Sequence, residues 1–135
     1  MTEPLALMAK DADDLAILSA CLQDAIVMVG DMRYDAERRQ FLMVLNRFCW
    51  ERESGERVIA GLCIENVQKV AQKGIDQAKS SHYLELLALH QESDALSLIF
   101  GGGGAIRLSV TDLRLYLHDL DESWPTSFRP RHEQP

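Results

Sequence analysis

Apolar residues recur at every second position through much of the chain. Val58, Ala60, Leu62 and Ile64 share one side of an extended segment, and Ile106, Leu108 and Val110 alternate with Arg107 and Ser109. A period of two puts the apolar set on one face of a strand and the polar set on the other. Met28, Met32 and Tyr34 repeat the pattern against Val29, Asp31 and Arg33. FLMVL (41–45) is continuously apolar, which predicts a strand covered on both faces. Leu84 to Leu89 and Ala95 to Phe100 supply two more apolar runs. The polar stretches DAERRQ (35–40), WERESGER (50–57), DQAKSSH (76–82) and HQESD (90–94) separate these segments, with Ser54-Gly55 marking a reversal. Short strands joined by such turns pair antiparallel.

Helical spacing enters near the two ends. Asp11 stands where an N-cap belongs, Asp13 and Asp14 fall in the first turn, and Leu15, Leu18, Leu22 and Ala25 follow, widened by Ile17 and Cys21. The spacing predicts an amphipathic helix over Ala12 to Asp24. Leu113, Tyr116, Leu117 and Leu120 fall at i, i+3, i+4 and i+7 behind Thr111-Asp112, which predicts a C-terminal helix. Leu113, Leu115 and Leu117 also fit alternation, and Asp119, Asp121 and Glu122 sit badly at a helix C-terminus. ENVQKVAQKGI (65–75) reads as a strand or a bulged extension, although Val67, Val70 and Ala71 would fit a helical turn. The expected fold class is therefore α+β: a mostly antiparallel sandwich or open barrel, with an amphipathic helix near the N-terminus and a second helix near the C-terminus. Residues 1–124 would form a single domain and 125–135 a mobile tail, with Trp124 folded back.

The two halves share a plan. MRYDAERRQFLMVL and LLALHQESDALSLIF both set a polar turn between short apolar strands, and GLCIENV and RLSVTDL follow them with apolar and acidic or amide residues in the same order.

Composition narrows the function classes. A chain of 135 residues with 47% apolar and 26% charged residues can build a core without staples. Its formal net charge of −7 opposes binding to nucleic acid or to anionic membrane. Cys21, Cys49 and Cys63 are an odd, widely spaced set without metal-ligand spacing, as expected of free thiols in a reducing cytoplasm. MTEPLALMAKDADD lacks a signal-peptide pattern, and no apolar stretch approaches the roughly 20 residues that span a bilayer.

The glycine run FGGGGAIRLSV (100–110) could suggest a phosphate cradle. Such a cradle needs glycines that open a helix, followed by Lys and Ser/Thr; here Ala105-Ile106 and a strand follow. The run reads as a hairpin turn with positive φ at several positions. LSLIFGGGGAIRLSVTDLRLYLHDL, as strand, glycine turn, strand and terminal helix, resembles the closing half of pleckstrin-homology-like domains. DLAILSACLQDAIVMVGDMRY, VLNRFCWE, KGID and GGGAIRLSV followed by Asp112-Leu113 and Trp124 give the whole chain a likeness to an uncharacterised alphaproteobacterial family, domain-of-unknown-function family twenty-nine forty-eight. That resemblance implies a small cytoplasmic bacterial protein and carries over no catalytic residues.

His82, His90, His118 and His132 are scattered, and His118 with Asp121 or Glu122 would supply two metal ligands at most. No Ser or Cys sits in a nucleophile elbow. Catalytic residues, cofactor and metal are accordingly not expected. Positive charge concentrates in Arg33, Arg38, Arg39, Arg47, Arg52 and Arg57, interleaved with Asp35, Glu37, Glu51, Glu53 and Glu56. Within it Arg47, Trp50 and Arg52 form the candidate binding patch, since Arg beside Trp at a strand end suits a contact surface. Salt links and core packing of Trp50 are the structural alternative. The expected function is a non-enzymatic protein-interaction or adaptor module. The alternative is a small-molecule-binding protein or small enzyme with a pocket between sheet and helix.

Overall fold

Leu15, Leu18 and Leu22 lie on one side of an 11-residue helix, α1 (Ala12–Leu22), and all three are buried. Asp11 caps it, its Oδ1 accepting from the Asp14 amide at 2.8 Å. Asp24 takes a left-handed φ of 64° just past its end and turns the chain into the sheet. The computed structural model describes residues 5–51 and 55–120, together with the backbone of 124–125.

Around α1 run β1 (Ala6–Ala9), β2 (Ala25–Asp35), β3 (Gln40–Phe48), β4 (Glu56–Ile64), β5 (Val67–Lys73), β6 (Tyr83–Glu92), β7 (Ala95–Phe100), β8 (Ala105–Val110), β9 (Leu115–Asp119) and β10 (Trp124–Pro125). They form one open antiparallel sheet in the order β1-β9-β4-β3-β2-β6-β7-β8-β5, with β10 beside the start of β4. The architecture is α+β, with a single α-helix among the described residues.

The order has an internal symmetry. Exchanging β2 with β6, β3 with β7, β4 with β8 and β5 with β9 maps the eight central strands onto themselves, reversed. Each half is a three-stranded meander that sends its fourth strand to the other half: β5 pairs with β8, and β9 pairs with β4. The two crossing segments touch, the Glu65 amide donating to the Arg114 carbonyl at 2.9 Å and Asn66 Nδ2 to the Asp112 carbonyl at 2.9 Å. These are the GLCIENV and RLSVTDL segments whose likeness the sequence shows.

One hydrophobic cluster holds both halves and the helix, drawing Met43, Leu45 and Leu62 from one meander, Leu96, Leu98 and Leu108 from the other, and Leu18 and Leu22 from α1. Ser19 Oγ, on the same helix, accepts from the Leu89 amide at 3.1 Å and fixes α1 on β6.

The segment expected as a C-terminal helix is a strand. Leu113, Leu115 and Leu117 are buried, whereas Leu120 of the helical set is 54% exposed. Alternation wins here because the free edge of β4 needs backbone partners, which a helix could not give. The likeness to pleckstrin-homology-like domains turned on that helix. ENVQKVAQKGI is likewise a strand, with a register shift between Val67 and Lys69. Ser54 and residues 126–135 of the expected tail lie outside the described residues.

Gly101–Gly103 form a single 3-10 turn, and strand β8 follows. Gly102 and Gly103 have φ of 81° and 91°, with open space where a Cβ would stand. Replacing either by Ala therefore loads backbone strain without a clash. Each substitution is expected to lower stability by about 1 kcal/mol in denaturant titration. A nucleotide-dependent rise in melting temperature would count against the turn reading.

Candidate functional site

β3 sends successive side chains to opposite faces, and the arginine of NRFCWER goes inward. Arg47 is fully buried. Its Nε and Nη2 donate to Asp119 Oδ1 and Oδ2 at 2.9 and 3.0 Å, and its Nη1 and Nη2 donate to the two Glu51 oxygens at 3.0 and 2.8 Å. Asp119 Oδ2 also accepts from the Leu5 amide at 2.9 Å, so β3, β9 and the start of β1 meet on one guanidinium. Burial by itself would lower the pKa of Arg47, but its hydrogen bonds to Glu51 and Asp119 and their charges outweigh that and raise it. With both carboxylates engaged in fork geometry, this arginine is a joint inside the fold.

Trp50 braces the same end. Its indole Nε1 donates to the Gln23 carbonyl at 2.8 Å, and its ring meets Phe48 edge-on at 4.7 Å between centroids. Arg52 lies outside the described residues. The structure thus separates the expected patch: Arg47 faces the core and Trp50 packs on Phe48.

The concavity lies on the opposite face. An open cleft of about 860 Å³ is lined by residues of β2, β3, β4 and β6, among them Ile26, Met28, Val44, Asn46, Arg57, Ile59, Tyr83 and Glu85. Register explains the set. Ile26 pairs with Asn46 and Glu85, and Asn46 pairs with Ile59, so one row crosses all four strands. A large bulge makes the hollow: between the pairs Val27–Leu45 and Met32–Met43, Met28, Val29, Gly30 and Asp31 of β2 face only Val44 of β3. The bulged stretch is held away from β3 by the amides of Val29 and Gly30, which donate to the carbonyls of His82 and Ser80 at 2.9 and 2.8 Å.

The cleft floor corrects one expectation. FLMVL is covered on its inner face, where Phe41, Met43 and Leu45 join the core, but Val44 on the outer face is 42% exposed. Tyr83, beside it across Met28, is 69% exposed.

Arg57 closes one end. It is 7% exposed, its Nη1 donates to Asn46 Oδ1 at 2.9 Å, and its guanidinium lies 5.7 Å from the centroid of the Phe48 ring. Burial pulls its pKa below the ordinary arginine value, and the nearby charges of Asp24, Cys49 and Glu85 offset that only in part. Asp24 is also buried, and Asp24 and Glu85 each have contacts of their own. Arg57 appears in the sequence as the last of the six arginines from Arg33 to Arg57; its signal was its position two residues before Ile59 on the face opposite Val58 and Ala60. Asn46 and Ile26 carried no sequence signal beyond alternation.

Among the described residues no group of three His, Cys, Asp or Glu side chains could hold a metal ion. None of Cys21, Cys49 and Cys63 is in a disulfide, and burial pushes the thiols of Cys21 and Cys63 up.

Residues 5–132 match the model of a family described as a protein of unknown function, DUF2948. The chain belongs to that family. No curated protein and no solved structure matches it. In this DUF2948 member no described helix is long and apolar enough to cross a membrane.

Two outcomes follow from the Arg47 joint. Asp119→Ala leaves a buried cation with half its partners, and chemical unfolding should show a loss of about 3–5 kcal/mol. The double variant Arg47→Met with Asp119→Leu should recover most of it, because it removes both charges and keeps the volume. Equal losses in the single and double variants would show that packing, and not charge, is what the joint supplies.

Proposed function

We propose that the protein is a non-enzymatic interaction module of the cytoplasm and that the outer-face cleft is its contact site. One observation carries this reading: at the middle of the outer face of β3, Val44 is 42% exposed in an open cleft. Exposed apolar surface held in a concavity and rimmed by polar groups is the usual composition of a contact site. The cleft has shape and amphipathic character, its apolar floor meeting Asp24, Asp31, Arg57 and Glu85.

The earlier alternative of a ligand pocket between sheet and helix finds no support in the geometry, since α1 fills the inner face with Leu15, Leu18 and Leu22. A small-molecule reading would have to use the same outer cleft, which is open along β3. An adaptor that takes a chain segment suits that openness better, because a segment can lie in the groove and leave it at the far end.

The test is a charge on the floor. Val44→Glu places a carboxylate in the middle of the apolar row at an exposed position, so stability should change by no more than about 0.5–1 kcal/mol. Capture of cytoplasmic partners by the immobilised protein, read by mass spectrometry, is expected to fall at least tenfold. Ile17→Glu, at an exposed position of α1 that does not line the cleft, serves as the control. Capture unaffected by Val44→Glu in a folded protein would remove the cleft as the contact site.

A further inference from the structure

Beyond β9 the chain returns to the sheet once more. The backbone of β10 lies antiparallel to the start of β4, with Trp124 opposite Arg57 and Pro125 opposite Glu56. Arg57 lines the outer-face cleft, so the chain passes into residues 126–135 beside one end of that cleft. This segment, TSFRPRHEQP, lies outside the described residues. Its reach is ample: ten extended residues span up to about 33–36 Å. Along β4 the step from Arg57, opposite Phe48, to Gly61, opposite Val44, is only about 13 Å. β10 heads away from Ile59, so a path into the cleft needs a reversal first, and Thr126-Ser127 offers turn-forming side chains before Phe128. The DUF2948 match extends through residue 132, which makes the segment part of the unit that defines the family.

The two ends of the cleft differ in charge. At the near end Arg57 is held by Asn46 Oδ1 and the Phe48 ring, and the carboxylates of Asp24 and Glu85, which have contacts of their own, act on it electrostatically. At the far end the bulge presents Asp31, an exposed carboxylate, beside Val44, and Arg57 is the one cation among the described lining residues. Ile26, Val44 and Ile59 lie between. An occupant that enters past Arg57 therefore needs an apolar group first and positive charge beyond it. Phe128 followed by Arg129 and Arg131 has that order, and these are the only lysines or arginines after Arg114. We propose that residues 126–131 occupy the cleft of their own chain, with Phe128 on Ile26, Val44 and Ile59 and one of Arg129 and Arg131 on Asp31. The inference goes beyond the contact-site reading and stands without it; a partner that uses the cleft would have to displace this segment.

The test is nuclear magnetic resonance of the isotope-labelled full chain. In the unaltered protein the Phe128 ring protons should show cross-relaxation to methyl groups of Ile26, Val44 or Ile59. Phe128→Ala should shift the amides of those three residues more than the amides of Leu87 and Ile99, exposed apolar positions of the same sheet that do not line the cleft. Arg129→Glu with Arg131→Glu should weaken the Phe128 cross-peaks and move the Asp31 amide. Adding Asp31→Arg to that variant should restore the cross-peaks, because the pair forms again with its charges exchanged. Salt at about 1 M, where the screening length falls to about 3 Å, should weaken them in the unaltered protein. Absence of the cross-peaks in the unaltered protein would overturn the proposal without need of any variant. Cross-peaks that survive the double arginine reversal at full strength would overturn the pairing with Asp31. Cross-peaks between labelled and unlabelled chains in a mixed sample would assign the occupant to a second copy and overturn occupancy within one chain. Partner capture that ignores Val44→Glu would remove the contact-site reading and leave these cross-peaks in place, so the two failures are distinguishable.

Discussion

The exchange of β5 and β9 between the two meanders is the constraint on which the molecule rests. A three-stranded meander presents a free edge on its last strand, and each half covers the other's. Because the exchanged strands belong to opposite halves, neither half can complete its own sheet. Folding must therefore bring together segments far apart in sequence, such as Leu62 with Leu117 and Leu108 with Val70. Contacts of that separation slow folding but tie the domain into one cooperative unit.

Arg47 secures one of the two exchanges. Its ion pair with Asp119 holds the last residue of β9 against β3, and Asp119 in turn holds Leu5 at the start of β1. A buried ion pair adds little net stability against an apolar equivalent, since desolvation of both charges offsets their attraction. Its effect lies in specificity. A slip of β9 by one residue would turn Leu115 and Leu117 outward and strand Arg47 without its partner, so the register is fixed twice over. The other exchange, of β5 onto β8, uses different means: the Tyr34 hydroxyl donates to the Val67 carbonyl at 2.6 Å.

The bulge in β2 shapes the surface on which the proposed function rests. Without the extra residues of Met28–Asp31, the outer face of β2 and β3 would be a flat ribbon. With them it becomes a hollow whose floor continues the strands that form the core, so the site is held by the most rigid part of the fold. Gly30 permits this by letting the bulge approach Ser80, where a Cβ would come within 3.1 Å of both Ser80 Cβ and its carbonyl oxygen. The two arginines at this end sit on opposite faces of adjacent strands: Arg47, facing in, is held by Glu51 and Asp119, and Arg57, facing out, is held by Asn46 and the Phe48 ring.

Alternation and turn chemistry were enough to determine β2, β3, β4, β6, β7 and β8, the helix that begins at Ala12 and the turn at the glycines, because those signals are local and depend on φ, ψ and face periodicity alone. Even the likeness of the two halves was legible in GLCIENV and RLSVTDL. The sequence was equivocal at ENVQKVAQKGI and at Leu113–Leu120, the segments that become the exchanged strands. In both, a helical and an alternating pattern fit the same residues, and only the unfilled edges of β8 and β4 decide between them. Arg47 and Trp50 of the expected patch are parted for a related reason. Arg47, Trp50 and Arg52 are neighbours in sequence, but period two sends Arg47 into the core, where Asp119, 72 positions away, awaits it. The cleft is built from Ile26, Asn46, Arg57 and Tyr83, one from each of four strands, and no local pattern records that they share a face; their meeting is a product of register and of one bulge, which exist only in the folded sheet.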